Sequence, residues 1–544
     1  MSITKCKMRF LLSGKACVVL AGMVLFFASP VMAFTFSSGE LEGGLDITLG
    51  YATAYSTEKG NTKNGVNNKH FDAPNYKSDE TYRGRGIVAQ VWKVMGELDL
   101  VYKDYGFKST ASFTYDTEIM DKQRDYDFDH DGKKDGWSDD AKDASGRVFN
   151  LLDAYAYGVF MDDSLDIRVG RQVINWGEGL VFMEGVSVQV PFNINNLVLP
   201  GSELKEAYIG LGAVRAQYAA TDNISFDAYW QWEWEKNMFP GTGTFYGDDI
   251  LASPGAEEET FAWTGGAFGF EDRDGDTDET NQWGISATSY IGNSEYGIYY
   301  SRYNDAMPSV GFDLNKGNVF VTYAENQDMF GISMSTSVAA LGGWTINSEL
   351  SYRPNRRIST VIFGGPNGIG LDDDGKYWTE ADTWNASTYG FWLGKAFIGG
   401  IDSQFAFIQI GVDIMDYDGD MSDLQPMLVD HDAAADRGDG VYEVVSSDEE
   451  VSTTAWGIAA EWDATWQSVM PAIDVTLALF AQYDFAGNSH LTGNFSEGRL
   501  LSSIGLSSVI HNDWETGLSY ARTDYSDSNY EVQNTVNFNV NYKF

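Results

Sequence analysis

Cysteine is nearly missing from this 544-residue chain. The two that occur, Cys6 and Cys17, both lie in the first 33 residues. Residues 34–544 therefore hold no disulfide scaffold, no thiolate metal site and no cysteine nucleophile. Histidine is scarce as well. His70, His130, His431, His490 and His511 all fall in expected loops or turns, where no rigid Ser–His or Asp–His pair can be built, so no enzyme is expected. Basic residues are few, 36 Lys and Arg against 79 Asp and Glu, for a net charge of -43. That balance excludes a nucleic-acid partner. Beyond the first 33 residues there is no apolar run long enough to be a transmembrane helix.

The first 33 residues have the layout of a signal peptide. Lys5, Lys7, Arg9 and Lys15 precede an apolar run over 16–28, and Val31, Met32 and Ala33 supply small residues for cleavage. Removal of 1–33 leaves 34–544 as a single domain with a charge of -47, since the leader carries four bases and no acids. What is plentiful is aromatic: 32 Phe, 30 Tyr and 16 Trp, in a chain whose mean hydropathy is -0.28. Many aromatics in an acidic, polar chain suit an outer-membrane barrel with aromatic girdles, a polar lumen and acidic loops.

Period two dominates the sequence. Ile224, Phe226, Ala228, Trp230, Trp232 and Trp234 alternate with Ser225, Asp227, Tyr229, Gln231, Glu233 and Glu235. Leu45, Ile47, Leu49 and Tyr51 alternate with Asp46, Thr48, Gly50 and Ala52. No helix sorts these residues onto two faces, whereas a strand between lipid and water does. The final segment alternates Val536, Phe538, Val540, Tyr542 and Phe544 with Asn537, Asn539, Asn541 and Lys543. It resembles the terminal insertion strand of bacterial outer-membrane barrels.

Connections alternate between short and long. Short turns are expected at 104–106, 162–164, 221–223, 292–294, 341–343, 399–400, 465–470 and 511–513; long loops include 57–82, 118–146, 237–281, 356–383 and 416–452. The fold class is therefore all-β, a transmembrane antiparallel barrel of about 18 strands, or roughly 16, with long extracellular loops. Its expected place is the bacterial outer membrane, its outer surface in contact with outer-membrane lipid and lipopolysaccharide.

One long connection is unlike the rest. After a strand that puts Asp166, Arg168 and Gln172 on the lumen face, the chain from Leu180 to Leu199 is apolar and weakly charged. Exposed to water it would be a liability, so 176–205 is expected to fold inward as a constriction or plug. The expected lumen and constriction residues are Asp166, Arg168, Gln172, Trp176, Glu178, Glu203, Lys205, Glu206, Asp227 and Glu233. A separate run, Asp127, Asp129, Asp131, Gly132 and Asp135, has the spacing of a Ca2+ loop, although Ser138 stands where the bidentate acid belongs.

Five stretches taken together are specific. They are Gly170-Arg171-Gln172 with Trp176-Gly177-Glu178, the run 200–206, the strand 230–235, Tyr352-Arg353-Pro354-Asn355, and 493–499. The chain resembles the proteobacterial outer-membrane family filed as domain of unknown function 1302, over nearly all of 34–544. That resemblance implies an alginate-exporter-like barrel, a periplasmic partner with an inner-membrane transporter, and the handling of hydrophobic or lipid-like compounds. The expected function is an outer-membrane channel for small hydrophobic or lipid-like molecules. The alternatives are a calcium-ordered surface or adhesion barrel and, more remotely, a barrel hydrolase.

Overall fold

The computed structural model describes residues 34–57, 86–122, 137–179, 181–182, 185–242, 244–247, 253–255, 269–273, 277, 279–313, 318–359, 378–395, 400–419, 421, 427–430, 443–446, 451–491, 494–525 and 533–544. In chain order the first strands are β1 (Phe34–Ser38), β2 (Leu41–Ser56), β3 (Gly86–Tyr102), β4 (Tyr105–Asp116), β5 (Arg147–Phe160), β6 (Leu165–Gln172), β7 (Leu211–Thr221) and β8 (Ile224–Gln231). There follow β9 (Gly269–Asp272), β10 (Gln282–Ile291), β11 (Ser294–Tyr303), β12 (Pro308–Asp313), β13 (Asn318–Tyr323), β14 (Gln327–Val338), β15 (Trp344–Ser359) and β16 (Trp378–Lys395). The last are β17 (Ser403–Asp416), β18 (Met427–Asp430), β19 (Glu443–Ser446), β20 (Thr454–Met470), β21 (Ile473–Ala486), β22 (Arg499–Ile510), β23 (Trp514–Tyr525) and β24 (Gln533–Lys543).

Nineteen strands share one sheet, and all but β1 form a closed antiparallel ring. Closure is made by β2, which pairs with β3 on one side and with β24 on the other, from Thr48↔Lys543 to Ser56↔Thr535. The last backbone N–H, of Phe544, donates to the Ile47 carbonyl at 2.9 Å. β1 folds back on the first five residues of β2. The small sheets β9–β13–β12 and β18–β19 lie in long connections outside the ring. Eighteen strands therefore leave no edge within the wall, as a membrane requires.

The wall is inside out by the standards of a soluble protein. Large apolar side chains are exposed on the outer parity: Val169, Phe226, Ile285, Ile298, Ile332, Ile410, Leu506 and Leu518. Polar side chains on the other parity are buried: Thr48, Ser112, Ser286, Ser301, Asn347, Ser351, Asn385 and Gln409. An apolar belt that encircles the molecule would aggregate in water and is satisfied by lipid. Aromatics concentrate at both rims. At the long-loop end Trp283, Tyr300, Phe330, Tyr352 and Trp384 form a ladder with ring centroids 4.8–6.5 Å apart. At the short-turn end Trp514, Tyr542 and Phe544 pack at 4.5–4.6 Å. These are the two girdles that mark the membrane interfaces.

Tight turns join strands at one end. Lys103, in the two-residue turn 103–104, and His511 and Asn512, in the three-residue turn 511–513, adopt φ of 55°, 54° and 66°, the left-handed conformation that tight hairpin turns use. Two expected boundaries shift. The 465–470 segment is strand rather than turn, because β20 runs through a bulge to Met470 and pairs it with Ile473. The 356–383 loop is shorter, because β15 continues to Ser359 and β16 begins at Trp378. Pro354 and Asn355 (φ 48°) are absorbed in a bulge between Arg353 and Arg356, where a missing N–H costs no ladder bond.

Candidate functional site

The chain leaves the wall after Gln172 and rejoins it at Leu211, and the connection between them folds into the barrel. Its local structure is set by side-chain caps. The Asn193 side chain accepts from Asn196 N to start the short helix Ile194–Val198. Glu203 and Glu206 form a capping box around the single turn Leu204–Ala207.

The first arm of this segment crosses to the far wall. The Trp176 indole N–H donates to Asp227 Oδ2 on β8 at 3.0 Å, and its ring meets Tyr229 edge-on at 4.9 Å. Asp227 is held in turn by two Arg215 nitrogens at 2.5–3.1 Å. The Glu178 and Gly179 backbone N–H groups both donate to Glu349 Oε2 on β15, at 2.7 and 3.1 Å. Val181 N donates to Gln409 Oε1 on β17 at 3.0 Å, and Arg353 donates to the Gly185 carbonyl at 2.7 Å. Val186 is fully buried over Gly331 of β14, where any Cβ would collide with it. Phe182 lies over Gly411 of β17.

The second arm returns to the strands where the ring closes. Lys93 Nζ of β3 donates to Glu206 Oε2 at 2.7 Å and to the Gly201 carbonyl at 2.9 Å. Both partners of that ion pair are almost wholly buried, at 6% and 1% exposure. Lys205 bridges Glu97 of β3 and Glu203 at 2.9 and 3.3 Å. Gly201 approaches Ala52 of β2 and Asn539 of β24 closely enough that its φ of 76° and lack of a Cβ are both used. The contacts thus fall on β8, β14, β15 and β17 at one side and on β2, β3 and β24 at the other. The segment is laid across the barrel interior and fastened at both ends.

Its charge environment is acidic. Burial pushes the Glu178 carboxyl up to about 7, and the neighbouring Glu295 and Glu349 push in the same direction, against a hydrogen bond with Tyr389. A second connection also turns inward, after β21. Asn494 Nδ2 and Ser489 Oγ donate to Asp413 Oδ2 at 2.7 and 2.6 Å. Arg499 Nε donates to Asp484 Oδ2 at 2.7 Å, and Phe495 packs on Phe182 with centroids 4.8 Å apart.

A family model described as protein of unknown function, DUF1302, matches residues 15–544. The chain belongs to this family. No curated protein matches the chain. Among solved structures, OccAB3 of Acinetobacter baumannii is 7% identical and covers 92% of this chain and 99% of that one, with a TM-score of 0.44. A BenF-like porin from Pseudomonas fluorescens Pf-5 is 8% identical over 92% and 98%, at 0.43. The outer membrane channel DcaP of Acinetobacter baumannii is 11% identical over 94% and 100%, at 0.38. Identities and scores this low transfer neither residue roles nor substrates.

In this DUF1302 barrel the residues expected from the sequence to line the lumen separate into groups. Trp176, Glu178 and Asp227 meet at the first arm, and Glu203, Lys205 and Glu206 at the second. Asp166 and Arg168 pair with each other at 3.0 Å on the lumen parity of β6, and Gln172 caps Ala213 O at 3.1 Å. Glu233 lies elsewhere. β8 ends at Gln231, and Glu233 instead accepts from Arg171 at 2.7 Å and from Gly212 N at 2.6 Å. Arg171 and Gly212 both lie on the lipid-facing parity, so the pair forms at the rim rather than in the pore. Trp234 has left the wall too and packs on Tyr323 of the small outer sheet at 4.8 Å. Asp127, Asp129, Asp131 and Asp135, the expected Ca2+ loop, lie outside the described residues, as do residues 1–33, the expected signal peptide. Among the described residues no group of three or more His, Asp or Glu is placed to hold a metal. The wall anchors Lys93, Glu349, Arg353 and Gln409 were not singled out as anchors by the sequence. Arg353 stands in one of the family-like stretches, but only lumen parity marks Lys93, Glu349 and Gln409, and that they share with many others.

Proposed function

We propose that the chain is an outer-membrane channel of a Gram-negative bacterium, narrowed by residues 176–205, that passes small hydrophobic or lipid-like molecules. The observation that carries this reading is the inserted segment, fastened to opposite sides of an eighteen-strand ring by Glu349 and Arg353 at one end and Lys93 at the other. A wall of this size encloses more space than its own side chains fill, so an inserted segment decides what passes. The hydrophobic preference is supported by the aromatic cluster where the insert meets the barrel: Phe182 of the insert packs with Tyr389 and Phe407 of the wall and with Phe495 of the second inward connection. Membrane placement follows from the exposed apolar belt and the two aromatic girdles, with lipid and lipopolysaccharide around the wall. A periplasmic partner and an inner-membrane transporter would supply or receive the solute at the short-turn end. The test is permeation in proteoliposomes of paired solutes matched in size, one apolar and one sugar-like. The reading expects faster flux of the apolar member; equal flux, or faster flux of the sugar, contradicts it.

A further inference from the structure

We propose that the lumen faces of β16, β17, β20 and β21 form a binding subsite for small hydrophobic ammonium ions, solutes with an apolar ring or chain and one cationic nitrogen. The proposal depends on the channel reading and names the class of solute. Strand register assembles the subsite. Phe391 lies opposite Phe407, Phe407 opposite Glu461, and Glu461 opposite Phe480, so four adjacent strands place one row of side chains across the wall. The next row, nearer the short-turn end, reads Leu393, Phe405, Asp463 and Ala478. Both rows share the parity of Gln409, which reaches the inserted segment, and so face the lumen.

An apolar surface is out of place in a water-filled pore. Phe391, Phe405 and Phe480 are only half-buried around Phe407, and Leu393 is 72% exposed. The neighbouring lumen positions Ser503, Gly505, Ser507, Gly517 and Ser519 are small and leave room beside the patch. Leaving such a patch wet is costly, and a solute's apolar body would cover it.

The carboxylates specify the rest of the solute. Asp227, Glu349, Asp413 and Asp484, elsewhere on the lumen face, each accept from protein donors. Among the described residues Glu461 and Asp463 pair with no Lys or Arg side chain, and Asp463 Oδ1 is shut away from solvent with no hydrogen-bond partner. A neutral solute would leave both carboxylates unanswered, and an anion would be repelled. An ammonium nitrogen answers their charge and gains from the half-buried Phe480 ring beside Glu461.

The test is current blockade in planar bilayers holding the mature chain, using a phenylalkyl-trimethylammonium and its uncharged tert-butyl isostere as probes. The ammonium should block at a concentration roughly ten-fold lower than the isostere, the scale set by a cation beside aromatic rings and carboxylates. Glu461→Gln with Asp463→Asn should erase that advantage, with the far-ultraviolet circular dichroism of a barrel as the check on folding. Glu515→Gln, at a lumen carboxylate paired with Lys543, should keep it. Phe391→Ala with Phe405→Ala should weaken blockade by both probes. Equal blockade by the two probes in the unaltered protein, or a preference that survives the Gln/Asn pair, overturns the subsite. If neutral apolar solutes still cross in proteoliposomes, that failure leaves the channel reading intact. If none cross, both fall together.

Discussion

Lys93 and Glu206, 113 residues apart in the chain, meet inside the barrel in a 2.7 Å ion pair from which water is almost excluded. Removing one partner of such a pair leaves an uncompensated buried charge and costs about 3–5 kcal/mol. Lys93→Met should therefore release the second arm. Because residues 34–544 contain no cysteine, Ser202→Cys provides a single site for a thiol reagent. Labelling should accelerate strongly with Lys93→Met and slow again when Glu206→Gln is added. Identical labelling in all three proteins would show that the pair fixes nothing.

The first arm is held differently, by a wall carboxylate that accepts two backbone N–H groups. Hydrogen bonds to a charged group are worth about 1.5–3 kcal/mol each. Glu349→Ala should raise flicker in single-channel records by freeing 177–179, whereas Glu349→Gln, which keeps an acceptor, should raise it less.

The pH response follows from Glu178. Its ordinary value near 4.5 is raised to about 7 in the docked segment. A raised carboxyl favours the protonated form, so its contribution to docking is complete below about 4.5 and is lost as pH rises through about 7. The facing groups are Glu295 on β11, Glu349 on β15 and Tyr389 on β16, and none is cationic. Conductance should rise between pH 5 and pH 8, and Glu178→Gln should flatten that rise. A rise of equal size in the variant would assign the titration to another group.

Phe182 and Phe495 close one side of the insert against the wall. Phe182→Ala opens a cavity at a cost of about 3–5 kcal/mol. Flux of apolar solutes should increase, with little change in the exposed apolar belt that anchors the barrel. Flux equal to that of the unaltered chain would mean that this contact seals nothing.

The wall was legible in the sequence because strand parity is a local property. Each residue's face is fixed by its immediate neighbours, so Ile224 to Gln231 and Val536 to Lys543 could be sorted one by one, and loop-length asymmetry gave the strand number. The inward course of 176–205 was legible for a related reason, since an apolar loop has nowhere else to go. Its anchors were not. Glu349 and Glu178 are brought together across 171 residues by barrel closure, which no local pattern encodes. Glu233 shows the converse limit. The alternation from Ile224 runs on past Gln231, but hydrogen bonding to Gly212 and Arg171 ends the strand first.

The most direct measurement is single-channel conductance of residues 34–544 beside a variant lacking 180–199, in the same bilayer and salt. A segment laid across the lumen predicts a several-fold larger conductance in the shortened protein, with far-ultraviolet circular dichroism still that of a barrel. A folded variant as tight as its parent would contradict it.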